Sequence, residues 1–128
     1  MNPNIVLQQP RVIVEINYMP AVSIILPIRS LITLKSTLED RVKLIMKKTE
    51  QRLLALYSEE KAVPVIRKLK NLIRTLKYDT HKKGIAIFVS PVLEQVYYLE
   101  AEVEEKIAID EFFEIRDEVF RKNTNYIE

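Results

Sequence analysis

Two short runs, Val22-Ser-Ile-Ile-Leu26 and Ile85-Ala-Ile-Phe-Val89, carry no charge, and their apolar side chains fall on both sides of an extended chain. Strands with this pattern are buried on both faces. Between them the hydrophobic period becomes that of a helix. Leu38, Val42, Ile45, Thr49, Leu53 and Leu56 step by three or four, with Lys43, Lys47, Lys48, Glu50 and Gln51 elsewhere on the wheel. The spacing predicts a helix over residues 36–57, opened by Ser36-Thr-Leu-Glu39, which matches a capping box. Ile66, Leu69, Leu72, Ile73 and Leu76 mark a second helix over 64–78. Pro64 suits its first position, where the missing N–H costs nothing, and Glu59 and Glu60 lie just upstream, where negative charge favours the helix dipole.

Shorter signals complete the order of elements. Arg11-Val-Ile-Val-Glu-Ile16 is β-branched and bounded by Pro10 and Pro20, so it reads as a strand. Residues 79–84 form a polar turn ending in Gly84, the one glycine of the chain, expected at a positive φ or a close backbone approach. Residues 90–95 then turn the chain, 96–99 return as an antiparallel strand, and 102–109 form a further strand, firmest at Ile107-Ala-Ile109. In the tail, Phe112, Ile115, Val119 and Phe120 have helical spacing while Phe113-Glu-Ile115 alternates; an extended start and a short helix to about Lys122 fit best. With no repeat, low-complexity tract or linker, residues 1–128 read as a single domain. The expected fold class is α+β: a two-layer sandwich, mainly antiparallel or mixed, with a long helical pair on one face. Helices on one face leave the other side of the doubly apolar strands to be covered by the tail, a second copy or a partner.

Composition excludes more than it identifies. A chain of 128 residues, 48% hydrophobic and 30% charged, can bury a core without staples. It has no cysteine, so disulfides, thiol nucleophiles and thiolate metal sites are out. The start, Met1-Asn2-Pro3-Asn4, lacks the features of a secretory signal, and the longest apolar stretch is far short of the roughly 20 residues that span a bilayer. A cytoplasmic, membrane-free location is the default expectation. The net charge of +2 conceals a division: residues 29–83 hold fifteen Lys/Arg against six Asp/Glu, and residues 84–128 hold four against eleven. Either the surface has a basic and an acidic region, or the fold brings the two halves together and neutralises both.

No catalytic or metal-binding set emerges, and no cofactor is implied. One glycine cannot build a phosphate-binding loop or a dinucleotide turn. His81 is the one histidine, placed beside Lys82 and Lys83 in a polar turn, and reads as a solvated residue. The carboxylates at 100, 102, 104, 105, 110, 111, 114, 117 and 118 could hold a cation in principle, but a solvated face explains them more simply. The positive signal is in the second helix. Arg67, Lys70, Arg74 and Lys77 are spaced to share one stripe, and Lys82 and Lys83 extend it. Clustered cations on a helix face are what a phosphate-backbone binder presents, and also what a merely solvated face presents; no aromatic interleaves with them for base stacking. Tyr97 and Tyr98 point to opposite faces of a strand, and with Phe112 and Phe120 they are candidates for a protein interface or a homo-oligomer contact.

Taken in order, Val22-Ser-Ile-Ile-Leu-Pro27, the helical pair, Lys83-Gly-Ile-Ala-Ile-Phe88, the hairpin to Tyr97-Tyr98 and Ile107-Ala-Ile-Asp-Glu-Phe-Phe-Glu-Ile115 resemble a known family over about residues 20–118. It is the N-terminal domain of archaeal and eukaryotic peptide release factors and Pelota, and closer still the bacterial release-factor-like proteins. The resemblance implies a ribosome- or RNA-associated module. It does not imply the family's chemistry. One glycine cannot make the Gly-Gly-Gln motif of the family's middle domain, and Ser58-Glu-Glu-Lys-Ala-Val63 is not its Asn-Ile-Lys-Ser element. Ile107 and Ile109 stand where a Tyr and a Cys would help read a stop codon, and Phe113 alone matches a third member. The expectation is therefore a non-enzymatic module without stop-codon reading or peptide release.

Overall fold

The computed structural model describes residues 18–28, 35–77 and 82–124, with the side chains of 35–37 and 122–124 left aside. The predicted strand at 11–16 and His81 lie outside the described residues. The elements run β1 (Ala21–Pro27), α1 (Lys35–Leu56), α2 (Glu59–Arg74), β2 (Gly84–Ser90), β3 (Leu93–Leu99), β4 (Lys106–Asp110) and α3 (Arg116–Thr124). The four strands form one antiparallel sheet in the order β3-β2-β1-β4, so the expected α+β class is the one observed.

The two doubly apolar runs become the central strands because only there can both faces be covered. Val22 lies opposite Val89 and Ile109, and Ile24 opposite Ile87 and Ile107. These side chains share one face with Leu38, Val42, Ile45 and Leu53 of α1 and Ala62, Val65, Ile66 and Leu69 of α2. Thr49 stays on the buried ladder by donating its hydroxyl to the Ile45 carbonyl, 2.8 Å away.

The other face carries Ala21, Ile25, Ala86, Phe88 and Leu99, and the C-terminal segment covers it with Phe113, Ile115, Val119 and Phe120. Of the three covers the sequence allowed, the tail is the one present, and it adds a third layer. Ala86 beside Phe88 and Ser23 opposite it are small, and the phenylalanine fills the space they leave. Its ring meets those of Tyr97, Phe113 and Phe120 at 6.2, 5.9 and 5.9 Å between centroids. Arg116 lies 5.7 Å from the centre of the Phe88 ring and donates from Nη2 to Gln95 at 2.9 Å.

Several boundaries differ from expectation for definable reasons. Helix α1 begins at Lys35, one residue ahead of the predicted cap, and the Ser36 side chain is not among those described. Helix α2 begins at Glu59, so Pro64 lies inside it. Extended Ser58 lends its carbonyl to the N–H groups of Lys61 and Ala62 at 3.1 and 2.9 Å, and Glu59 and Glu60 occupy the first turn. The helix thus nucleates upstream, and Pro64 removes one hydrogen bond on its exposed side. It ends at Arg74 rather than near residue 78, where Thr75 closes a tight turn onto the Leu72 carbonyl and the Lys77 N–H donates to the Tyr98 hydroxyl at 2.8 Å.

The β2–β3 hairpin needs only Pro91 and Val92, because Ser90 pairs directly with Leu93 and its hydroxyl accepts the Val92 N–H. The last strand starts at Lys106 rather than 102. Gly84 has no positive φ; it answers to close approach alone. A Cβ there would stand 2.6 Å from Val103 Cγ2 and 3.2 Å from the Leu26 carbonyl oxygen.

Candidate nucleic-acid interface

Helix α2 buries Ala62, Val65, Ile66 and Leu69, which turns Arg67, Lys70 and Arg74 toward solvent on one flank. Lys70 Nζ lies 3.5 Å from Glu50 Oε1, and this contact fixes which flank of α1 the stripe faces. Lys43, Lys47 and Leu54 stand seven and three residues before and four after Glu50, so they share its stripe. The solvent side of the α1–α2 seam is therefore lined by Lys43, Lys47, Arg67, Lys70 and Arg74, all exposed, with Glu50 between them and Glu39 and Glu60 at the ends of the two stripes. Arg67 to Arg74 spans about 10 Å of helix axis, and the second row lies a helix spacing of about 8–10 Å away. Five cations thus occupy a compact surface, and no aromatic residue is among those lining it.

The remaining basic residues singled out by sequence are dispersed. Lys77 lies beyond the end of α2, so helical spacing does not carry the stripe to it. Lys82 and Lys83 sit at the opposite end of the connection, where Lys82 forms an ion pair with Glu100 and the Lys83 backbone bonds to Leu99 and Ile28. Lys68, on the far flank of α2, reaches down to the β2–β3 turn, donating to the Pro91 carbonyl at 2.6 Å with Glu94 at 4.0 Å. Lys43 and Lys47 are the functional candidates that sequence reasoning missed. Their helical phase was readable; the side of α1 that meets α2 was not.

The acidic half of the chain lies largely across the sheet from this seam. The 102–105 segment, β4 and α3 border a cleft of about 400 Å³ lined by Ile25, Val103, Ile115 and Val119, with Glu102, Glu104, Glu105, Glu118 and Lys106 around it. Arg41 donates from Nε to Glu105 at 2.6 Å, so one of these carboxylates is already engaged. Among the described residues no three acidic or histidine side chains are grouped to hold a metal ion. Nor is any described helix long and apolar enough to cross a membrane. The basic and acidic regions therefore remain apart in the fold, joined at the rim by Arg41–Glu105, Lys68–Glu94 and Lys82–Glu100.

The aromatic interface candidates separate cleanly. Tyr97 and Phe120 pack on each other edge to face at 4.8 Å, with the Arg116 guanidinium 4.6 Å from the Phe120 centroid. Tyr98 lies on the helix side of the sheet and accepts the Lys77 N–H. Phe112 alone of the four stands in solvent, 70% exposed. Near it, the Tyr57 hydroxyl is held above its ordinary pKa, first by burial and then by the negative charge of Glu111 and Asp110.

No family model matches this chain, and no curated protein matches it significantly.

Proposed function

We propose that this chain is a non-catalytic RNA-binding module whose α1–α2 seam holds the phosphate backbone of structured RNA, the ribosome being the expected setting. One observation carries the reading: five exposed cations share one compact face, with Glu50 between the two rows and Glu39 and Glu60 only at its ends. Lysine and arginine so placed release condensed counterions from phosphates and bind without regard to sequence. Without aromatic side chains in the seam, the surface reads backbone and shape rather than stacked bases. The resemblance to release-factor N-terminal domains is consistent with such a role and suggests ribosomal RNA as the ligand.

The test is fluorescence anisotropy with a labelled RNA hairpin, alongside co-sedimentation with ribosomes. With Lys70 paired to Glu50, the four remaining cations neutralise about four phosphates, and log K should fall with log salt at a slope of about −3. Between about 50 and about 200 mM salt, affinity then drops about 60-fold. Reversing Arg67, Lys70 and Arg74 to Glu should abolish binding, whereas Lys48→Glu with Arg52→Glu, on the other flank of α1, should weaken it only slightly. Binding indifferent to salt or to the triple reversal refutes the assignment.

A further inference from the structure

The cleft beside the start of β4 has two fixed walls. On one side, residues 102–105 pass over the sheet face that α3 covers, and Val103 settles against Gly84, which has room for it because it carries no Cβ. Alternation along this stretch turns Glu102 and Glu104 outward, and Arg41 ties it to the helical layer by pairing with Glu105. On the other side, the Asp110 carboxylate accepts the N–H groups of Phe112, Phe113 and Glu114 at 3.0, 2.7 and 3.3 Å. Phe113 and Phe120 then pack edge to face on Phe88 and hold α3 in place, with Ile115 and Val119 along the gap. Ile25 of β1 is the floor. The space enclosed, about 400 Å³, is that of a pre-formed ligand pocket.

Its charge selects the occupant. Four carboxylates, Glu102, Glu104, Glu105 and Glu118, stand around the aliphatic floor, and Lys106 is the one cation of the lining. Arg41 engages Glu105 from outside, so four negative charges against two positive leave the rim at −2. Along α3, Glu114 and Arg121 lie four residues before and three after Glu118 and offset each other. Glu102, Glu104 and Glu118 have no ion-pair partner among the described residues. An aliphatic floor inside an anionic rim fits a branched apolar group with a cation on either side. An extended peptide supplies both, because lysine or arginine stems can lie along apolar walls while their heads reach the carboxylates. A free polyamine spreads its charges along its whole length and would have to desolvate one over Ile25. The neighbouring strand also favours a peptide: β4 begins at Lys106 and pairs, among the described residues, with β1 alone, so its outer edge can take an extended chain.

We propose that this cleft docks an extended basic segment of a partner protein, in which one aliphatic residue lies between two lysines or arginines. The aliphatic side chain fills the space over Ile25, and its neighbours pair with Glu102 and Glu104 on one wall and Glu118 on the other. The site is separate from the seam. Ile25 belongs to the sheet face that α3 covers, whereas α1 and α2 lie on the opposite one. RNA and the peptide therefore bind without competing, and failure of either leaves the other standing.

The test is a nuclear magnetic resonance titration of the full chain, labelled at its isoleucine methyls, with the end-capped peptide Gly-Lys-Leu-Lys-Gly. The Ile25 and Ile115 signals should shift together and saturate with a Kd at or below roughly 1 mM, while those of Ile45 and Ile66, in the helical layer, stay in place. Neutralising the rim with Glu102→Gln, Glu104→Gln and Glu118→Gln should weaken binding about tenfold or more and leave the circular dichroism spectrum unchanged, since all three side chains are exposed. Exchanging the leucine of the peptide for serine should cost a similar factor in the unaltered protein. Spermine at the same concentration should leave the Ile25 and Ile115 signals unmoved. No saturable shift at these two residues, binding indifferent to the rim or to the leucine, or an equal response to spermine overturns the proposal.

Discussion

Replacing Phe88 with alanine tests the architecture at the strand that made it readable. Phe88 is fully buried on the face opposite the helical pair. Its neighbours there on the central strands and β4 are short: Ala86 beside it, Ser23 across the ladder and Ala108 beyond. None can reach into the space the ring vacates. Truncating a buried phenylalanine removes about 3–5 kcal/mol, and losing three aromatic contacts puts this site toward the upper half of that range, at about 4 kcal/mol. With an unfolding entropy of about 2.1 cal/mol/K per residue over 128 residues, the midpoint should fall by about 15 °C. Urea and thermal melts followed by circular dichroism measure both values, and near-ultraviolet spectra report the tyrosines. Because a domain of this size has only about 5–15 kcal/mol to lose, Phe88→Leu is the milder companion, with an expected loss of about 1–2 kcal/mol. If Phe88→Ala loses less than about 1 kcal/mol, the C-terminal segment does not pack on this face, and the third layer is wrong.

Two further outcomes follow from the packing. Gly84→Ala should destabilise by about 1–3 kcal/mol through overpacking, because Val103 would have to withdraw while the Leu26 carbonyl, fixed in the sheet, cannot; Val103→Ala in the same chain should recover part of the loss in urea melts. Tyr57 should titrate above pH 10 in an ultraviolet phenolate titration, and Glu111→Gln should bring it back toward the ordinary value. Since the folded state keeps this proton to higher pH than the unfolded chain does, the stability it contributes is complete below pH 10 and declines as pH rises through the folded pKa; a titration at or below 10 contradicts the environment described.

What the sequence disclosed divides along a physical line. Elements set by their own side-chain period were legible: the two doubly apolar strands, and α1 to within a residue of each end. The start of α2 was not, because Pro64 resembles a helix opening whereas the actual opening depends on the Ser58 carbonyl, a backbone acceptor invisible to composition. Phe112 and Phe113 are adjacent and identical in type, so nothing in their order tells which is buried; Asp110 decides it by capturing three amides. The basic stripe was half legible for the same reason. Arg67, Lys70 and Arg74 follow from helical spacing within α2, while Lys43 and Lys47 join them only once Glu50 and Lys70 establish how the two helices face each other. Local period is written in the chain; the pairing of flanks is a tertiary fact.

The same distinction accounts for the charge division. A sheet that is apolar on one face has a single covering layer, and its other face must carry the polar residues itself. Here both faces of β1 and β2 are covered, so the charges lie on the outer surfaces of the covering layers and around the rim of the sheet. Contiguous stretches of sequence build those layers, residues 35–74 on one side and 111–124 on the other. A charge bias along the chain thus becomes a charge bias across the molecule, with the nonpolar sheet between the two fields and only the rim ion pairs linking them. Such an arrangement lets the helical seam hold an anionic backbone while the α3 carboxylates Asp117 and Glu118, across the sheet from it, repel it weakly through solvent with a Debye length of about 8 Å at physiological salt. It follows that neutralising the distant carboxylates Asp117 and Glu118 should leave the salt slope of RNA binding unaltered, whereas Lys47→Glu, inside the seam, should flatten it.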